Sequence, residues 1–211
     1  MIEILFEDAD ILVCIKPAGY LSENSGESDR ALPLVIAKER GIDVLFAVHR
    51  LDREVSGVMV YAKNRTAASR LSVQVADRSF EKEYLAVIEG VPADDEATLT
   101  DLLFKDSRKN KSFVVDRKRA GVKEASLSYK VLARGEERSL VRVKLHTGRT
   151  HQIRVQFSSR KMPVLGDGRY GSSVRSFEIA LASCSIKFRH PRTNKVVEFT
   201  YTPTGDTWDV Q

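Results

Sequence analysis

One stretch of nine residues constrains this chain more than any other, the sequence His-Arg-Leu-Asp-Arg-Glu-Val-Ser-Gly at residues 49–57. Runs of apolar residues flank it on both sides, which predicts two buried strands joined by a polar loop. The loop holds Asp52 between Arg50 and Arg53, whose charges favour the ionised carboxylate. A held, ionised aspartate can act as a nucleophile. In isolation, such a stretch is more often a salt-bridged surface turn.

The remaining segments predict more strands than helices. Helices are predicted at 32–40, from an Asn64 cap through Val75, and at 150–159, and strands at 2–6, 11–15, 44–48, 58–62, 81–89, 98–104, 125–133, 140–145, 177–188 and 195–201. Because strands do not alternate regularly with helices, we expect an α+β fold with a mainly antiparallel, mixed sheet and flanking helices. No internal repeat or linker is visible, which predicts one domain over residues 1–211. The polar, Gly- and Ser-containing segment 22–29 predicts a mobile loop.

The composition is that of a globular protein, with 42% hydrophobic and 30% charged residues. No stretch approaches the roughly 20 apolar residues of a membrane helix. The N-terminus lacks the basic start and apolar core of a signal peptide, so we expect a cytoplasmic protein without membrane association. Cys14 and Cys184 lie in apolar segments and are expected to be buried free thiols. The four histidines show no zinc-binding spacing, so no metal site is predicted.

The positive charge is concentrated in the segment from Lys105 to Lys123. This segment holds eight basic and two acidic residues, a net charge of +6, whereas the whole chain carries +5. A short apolar piece, Phe-Val-Val at 113–115, lies within it. The pattern predicts a two-stranded basic arm that lies along phosphates, with a solvated charged hairpin as the alternative.

Three further motifs accompany the first. They are Ile-Lys-Pro-Ala-Gly at 15–19, Glu-Tyr-Leu-Ala-Val-Ile-Glu-Gly at 83–90 and Leu-His-Thr-Gly-Arg-Thr-His-Gln-Ile-Arg-Val at 145–155. In this order, from about Ile2 to the strand near Tyr201, the motifs resemble the RluA family of RNA pseudouridine synthases. The resemblance implies the pseudouridine synthase fold and an isomerase that acts on a specific uridine in structured rRNA or tRNA. It also implies that no cofactor is required, which agrees with the absence of a Rossmann fingerprint or a P-loop.

The resemblance assigns three catalytic residues. Asp52 matches the catalytic aspartate of the family, for which attack on the sugar C1′ and attack on the base both remain open. Arg154 matches the arginine that pairs with this aspartate and would keep it ionised and oriented. Tyr84 matches the active-site tyrosine, whose ring can stack on the target base and whose hydroxyl can take part in proton transfer. Without the other motifs, Tyr84 would be a strand tyrosine with a buried ring.

The resemblance also indicates how RNA is bound. Arg50 matches a position that occupies the space left by the flipped base. Arg149 and Thr150, at a predicted helix start, could bind phosphate, and His151 either contacts RNA or is structural. The Gly-Asp-x-x-Tyr-Gly loop at 166–171 is expected to support the site. The expected RNA-binding residues are Arg50, Arg53, Arg149, Thr150, His151, Arg117, Lys118 and Arg119.

The chain departs from the family pattern at two positions. Val55 stands where threonine is usual, and Gln156 where histidine is common. Neither change removes a charged catalytic group, so only fine geometry is in doubt. Because the motifs begin almost at residue 1, we expect no N-terminal S4-type RNA-binding domain, and we expect the catalytic domain, as a monomer, to recognise RNA itself.

Two other classes of function fit part of the sequence. A non-catalytic RNA-binding protein could use the basic segment, but it would not need a carboxylate that faces RNA. A glycoside hydrolase usually needs two carboxylates that flank the bond. Glu54 lies beside Asp52, but close neighbours on a loop seldom both face one substrate.

Overall fold

A computed structural model describes residues 1–24, 29–174 and 176–210. In chain order the elements are β1 (Ile4–Glu7), β2 (Ile11–Lys16), α1 (Leu32–Arg40), β3 (Phe46–Ala47), β4 (Ser56–Ala62), α2 (Arg65–Asp77), β5 (Glu81–Glu89), β6 (Glu96–Asp106), β7 (Lys111–Val115), β8 (Val122–Arg134), β9 (Arg138–Leu145), α3 (Gln152–Ser158), β10 (Leu181–Arg189) and β11 (Val196–Thr200). Most strand pairs are antiparallel, whereas β10 and β4 pair in parallel. The predicted α+β class with a mixed sheet is therefore confirmed.

The chain divides into two compact units. The first unit comprises Met1–Lys82 and Ala182–Pro203, and the second comprises Glu83–Leu181 and Thr204–Gln211. A single domain over the whole chain stays a prediction, and each unit is described by itself. Among the described residues, no helix is long and apolar enough to cross a membrane.

The first unit is built on β2 and β4, every residue of which is buried. These strands pair side by side, and β1, β10 and β11 extend the sheet. The α2 helix begins after Asn64, whose side chain accepts a hydrogen bond from the Ala67 backbone N–H, as the sequence predicts. Leu71 of this helix packs with Phe80 and Phe188 in the core, and the two phenylalanine rings stack at 5.1 Å. This core holds the loop that carries Asp52.

The second unit is a five-stranded antiparallel sheet in the order β5-β9-β8-β6-β7. In β9, Val141 and Val143 are buried and alternate with the exposed Arg142 and Lys144, which confirms the predicted half-buried strand. The seven-residue α3 helix contributes six buried residues to this unit. It is shorter than the predicted helix at 150–159, because His151 adopts a left-handed conformation (φ 53°) and the helix begins only after it.

Three other expectations need correction or restriction. Within the basic segment, β6 and β7 pair as an antiparallel hairpin, but β8 pairs along the other edge of β6, so the hairpin is part of a larger sheet and not a separate arm. The strand predicted at 44–48 is reduced to β3, and the strand predicted from Phe177 begins only at Leu181. Most of the predicted mobile loop at 22–29, residues 25–28, lies outside the described residues.

Candidate active site

Asp52 lies in a tight turn that leads directly into β4. The Val55 backbone N–H donates to the Asp52 carbonyl at 3.1 Å, and Val55 is buried while Asp52 is half-buried. The turn is attached to the Lys-Pro-Ala-Gly motif, because the Gly19 N–H donates to the Arg53 carbonyl at 2.7 Å and the Arg53 Nε donates to the Gly19 carbonyl at 3.3 Å. Two motifs that are far apart in sequence therefore form one structure.

Two buried polar side chains form hydrogen bonds with the backbone of the same turn. The fully buried Lys16 donates from Nζ to the carbonyls of Pro17 and Arg53, at 3.0 and 3.3 Å. The Ser22 hydroxyl donates to the Leu51 carbonyl at 2.7 Å and accepts from the Leu51 N–H at 2.9 Å. Each residue next to Asp52 along the chain is thus fixed through its backbone. Neither Lys16 nor Ser22 was recognised as a supporting residue in the sequence, because both contacts join distant segments.

His49 is a structural residue of this loop. It is 7% exposed, its Nε2 accepts a hydrogen bond from the Val60 N–H at 3.1 Å, and its ring lies 5.2 Å from that of Phe80. Burial, with a smaller contribution from the charge of Lys82, lowers the pKa of His49 to about 3. The ring is therefore neutral at physiological pH and adds no positive charge to this loop.

The two arginines that flank Asp52 are both exposed. Arg50 forms an ion pair with Glu23 at 2.6 Å, with both side chains more than half exposed. An exposed pair of this kind contributes little stability, so another anion could replace Glu23 at Arg50 at small cost.

Tyr84 lies in β5, opposite Val143 of β9. Its side chain is 6% exposed, as expected for a strand tyrosine with a buried ring. Neighbouring Lys82 has its pKa lowered by burial. The proposed stacking of Tyr84 on a base stays a prediction.

Arg154 has a partner that the sequence did not predict. Its Nε and Nη2 donate to the Asp167 carboxylate at 2.6 and 2.9 Å, in the bidentate geometry that suits guanidinium and carboxylate. Both side chains are almost completely buried, with 2% and 1% exposed. Asp167 belongs to the Gly-Asp-x-x-Tyr-Gly loop, which was expected to give structural support. The pairing of Arg154 with Asp52 stays a prediction.

Tyr170 of the same loop joins three elements of the second unit. Its ring lies 5.2 Å from the Arg154 guanidinium and 4.9 Å from the Lys111 ammonium, both at cation–π distance. Its hydroxyl accepts from the Ser112 N–H at 2.9 Å and lies 2.9 Å from the His151 Nδ1. The loop, β7 and the start of α3 are therefore connected through one side chain.

The segment before α3 is fixed by Gln152. Its Oε1 accepts from the Thr147 hydroxyl at 2.7 Å and from the Arg149 N–H at 3.0 Å. Arg149 itself is half-buried, with Nε donating to the Glu124 carbonyl at 2.9 Å. His151 is 9% exposed, and its contact with Tyr170 favours the structural alternative for this histidine. RNA contacts by Arg149, Thr150 and His151 stay predictions.

The basic segment presents most of its charge to solvent. Arg117, Lys118 and Arg119 are exposed and lie in the turn between β7 and β8. Arg119 lies 5.0 Å from the ring of Phe104, and Arg117 forms only an exposed ion pair with Asp116. These three cations are therefore available to phosphates.

One group of three side chains among the described residues has the spacing of metal ligands, Asp8, Asp10 and His190 of the first unit. The His190 Nδ1 accepts two backbone N–H groups at 3.2 and 3.3 Å, so the ring proton belongs on Nε2, 3.0 Å from Asp8 Oδ2. Asp10 is bound by the Arg192 guanidinium at 2.5 and 3.1 Å. A cation at Nε2 would need that proton removed, and Asp10 is already paired with Arg192, so these groups suit a metal poorly.

Comparison with known proteins identifies the family. A family model described as RNA pseudouridylate synthase matches residues 10–159, more than half of the chain. An uncharacterized RNA pseudouridine synthase of Aquifex aeolicus is 42% identical over 184 residues, covering 81% of this chain and 56% of its own length. The ribosomal large subunit pseudouridine synthase D of Zymomonas mobilis is 32% identical over 217 residues, covering 94% of this chain and 68% of its own length. The chain thus spans 56–68% of the length of these two relatives.

The fold agrees with the sequence comparison. The solved structure of human RNA pseudouridylate synthase domain containing 1 matches with a TM-score of 0.83 and 25% identity, covering 99% of this chain and 86% of that chain. The α+β fold is therefore that of the pseudouridylate synthases. The chain belongs to the RNA pseudouridylate synthase family, and the family and fold expected from the sequence motifs are confirmed.

Proposed function

We propose that this protein isomerises a specific uridine of structured RNA to pseudouridine, with Asp52 as the essential catalytic group. The observation that carries the proposal is the Asp52 turn, in which the residues on both sides of the aspartate are held by backbone hydrogen bonds. A nucleophile must be held in a defined position to react. A simple salt-bridged surface turn would not need a buried lysine and a buried serine beneath it.

The reaction moves C1′ from N1 to C5 of the uracil and exchanges one proton between those two ring atoms. The C1′–N1 glycosidic bond breaks, uracil turns, a C1′–C5 bond forms, C5 loses a proton and N1 takes one up. The product is an isomer of the substrate, so neither an electron carrier nor a group donor is consumed. A carboxylate that bonds covalently to the sugar or to the base can hold the fragments in place during this exchange.

Arg154 and Tyr84 complete the proposed catalytic set. The Arg154 guanidinium is the proposed partner of the Asp52 carboxylate, which it would hold in a fixed orientation. Tyr84 stacks on the target base or transfers a proton. The target uridine leaves its stack before Asp52 can reach it, and Arg50 fills the space that the base vacates.

RNA is held by positive charge on the second unit as well as by Arg50 and Arg53. The exposed cations of residues 117–119 and the Arg149 region bind phosphates. Because one relative is named a ribosomal large subunit pseudouridine synthase, large-subunit rRNA is the first substrate to test and tRNA the second. Action as a cytoplasmic monomer is part of the proposal.

Asp52→Asn tests the proposal directly. The variant should form no detectable pseudouridine in rRNA or tRNA from a strain that lacks the gene, while its RNA affinity and thermal stability stay close to those of the wild type. Glu54→Gln is the matched control, since it removes a carboxylate two residues away in the same turn, and it should stay active. Substantial turnover by Asp52→Asn would refute the role of Asp52. Tight RNA binding by a wild-type protein that leaves every uridine unchanged would support the non-catalytic alternative.

A further inference from the structure

The ion pair between Arg154 and Asp167 is unusual in its burial. At 2% and 1% exposure, both charges have lost their water, and the cost of that loss can exceed the attraction between them. A pair of apolar side chains of similar volume would often give equal or greater stability. Stability alone is therefore a weak explanation for this pair, and a role in placing the guanidinium is a better one.

Asp167 is the fixed member of the pair. Its N–H donates to the Val164 carbonyl at 3.0 Å, and its carbonyl accepts from the N–H groups of Tyr170 and Ser172 at 3.0 and 3.1 Å. The Ser172 hydroxyl accepts from the Gly166 N–H at 2.9 Å. These contacts fix the backbone on both sides of the carboxylate, so its position is set independently of Arg154.

A second anchor ties this loop to the end of β5. Glu89 accepts hydrogen bonds from the Ser172 hydroxyl and from the Ser173 N–H, the latter at 2.9 and 3.1 Å. The Tyr170 ring lies 5.2 Å from the Arg154 guanidinium, at cation–π distance. The bidentate carboxylate fixes the direction of the guanidinium, and the Tyr170 ring packed against it limits its movement.

We infer that Asp167 is a positioning residue of the active site, which holds the Arg154 guanidinium in the orientation that serves the reaction. The inference rests on the proposed function and extends it by one residue. Asp167 touches neither RNA nor the reacting atoms in this scheme, and it acts only through Arg154. A displacement of a catalytic group by about 1 Å can lower turnover by about 100-fold. Loss of the bidentate contact between Asp167 and Arg154 should therefore lower turnover by a measurable factor.

Two substitutions test this role. Asp167→Asn keeps the shape of the side chain and removes the charge, whereas Asp167→Glu keeps the charge and shifts it by one methylene. Both should lower the single-turnover rate at saturating RNA by about 10- to 100-fold, with the RNA concentration for half-saturation changed by less than about threefold. A loss of folded protein would instead reduce the active fraction, so the rate is normalised to the fraction that is folded by near-ultraviolet circular dichroism.

Asp101→Asn is the matched control. Asp101 accepts a similar fork from Arg160 in the same unit, at 2.9 and 3.2 Å, but that pair is partly exposed. Its loss should leave turnover within about threefold of the wild type. In an Arg154→Lys background, which has already lost the planar fork, Asp167→Asn should lower the rate by less than about threefold further. This non-additivity is expected of residues that act as a unit.

The outcomes separate the inference from the proposed function. Wild-type turnover by folded Asp167→Glu overturns the positioning role, even if Asp167→Asn does not fold. An effect of Asp167→Asn as large in the Arg154→Lys background as alone also overturns it. If Asp52→Asn is fully active, the proposed function fails first. A dead Asp52→Asn together with an unimpaired Asp167→Glu would leave the function standing and remove only the inference.

Discussion

The two predicted catalytic charges are held in different ways. In the first unit, Asp52 lies in a turn whose neighbours are fixed by hydrogen bonds to backbone atoms, from Gly19, Lys16 and Ser22. In the second unit, Arg154 is fixed through its own side chain, by the Asp167 carboxylate and the Tyr170 ring. A short acidic side chain is placed by its backbone, whereas a long basic one must be held near its end.

This difference predicts that the two sites respond to different kinds of substitution. The stability of the Asp52 turn should be most sensitive to changes of backbone conformation. The Arg154 site should be sensitive to charge and side-chain geometry, because removal of either member leaves an uncompensated buried charge. Substitutions at Gly57 and at Arg154 test the two sides of this contrast directly.

Gly57→Ala should have the largest effect. Gly57 follows the Asp52 turn with φ at 119°, and an added Cβ would lie 2.3 Å from the carbonyl oxygen of Ser183 in the adjacent strand. Because backbone atoms cannot move aside, we expect a loss of at least about 3 kcal/mol in the free energy of unfolding, measured by urea denaturation. Gly41→Ala is the control, with φ at 65° but no atom within 4 Å of the new Cβ, and should cost only about 1 kcal/mol. Equal losses in the two variants would contradict the close approach at Gly57.

Arg154→Lys should have the next largest effect. Lysine keeps the positive charge but cannot form the planar fork, so we expect turnover to fall about 100-fold. Arg160→Lys is the control, because its fork with Asp101 is partly exposed. Turnover of Arg154→Lys as high as that of Arg160→Lys would show that the planar geometry of Arg154 is not needed.

Lowering the pH should destabilise the first unit through His49. The unfolded histidine binds a proton below pH 6.5, whereas the folded one does so only near its pKa of about 3. The unfolded state therefore binds more protons between these values, and stability falls as the pH falls through this window. Between pH 7.5 and 5.0 the loss should be about 2 kcal/mol. His49→Gln should lose much of this dependence, and an unchanged difference in stability between the two pH values would contradict the assignment.

Short-range signals predicted much of this fold. The α1 helix spans the predicted residues 32–40, β5 spans the predicted 81–89, and the Asn64 cap precedes α2. Each of these rests on residues within one helical turn or one strand. The motif order was also sufficient to recognise the family, because long motifs such as residues 49–57 are specific.

Contacts between distant segments could not be predicted in the same way. Lys16 and Arg53 are joined across 37 residues, and Ser22 and Leu51 across 29. Local periodicity contains no information on such pairs. Asp167 was assigned to structural support, but its partner Arg154 could be found only from coordinates, since a carboxylate in a Gly-rich loop has many candidate cations. The larger sheet around the basic hairpin was missed for a similar reason, because the pairing of β6 with β8 is not apparent from the charge pattern.

Substitution of Arg117, Lys118 and Arg119 by alanine should weaken RNA binding without affecting either catalytic charge. Phosphate contacts release counterions, so the slope of log K against log salt concentration should fall by roughly 2 if all three contact a single-stranded backbone. Turnover at saturating RNA should change by less than about threefold, because these residues position RNA without reaching the reacting base. Alanine at Lys187, Arg189 and Lys195, three exposed cations of the C-terminal hairpin, is the control. An unchanged slope in the 117–119 variant would favour the solvated hairpin.

Chelation should have the smallest effect. A metal ion held by Asp8, Asp10 and His190 would stabilise the first unit, which also contains the Asp52 turn. The proton expected on the His190 Nε2 and the Arg192 guanidinium on Asp10 both oppose cation binding, the first by blocking the lone pair and the second by repulsion. We therefore expect turnover and melting temperature to be unchanged after exhaustive dialysis against a chelator, with the RNA kept folded by monovalent salt. Two results together would reveal a metal site. The melting temperature of the wild type would fall on chelation and be restored by one divalent metal, whereas that of Asp8→Asn would not fall. The first unit would then not be held by hydrogen bonds and ion pairs alone.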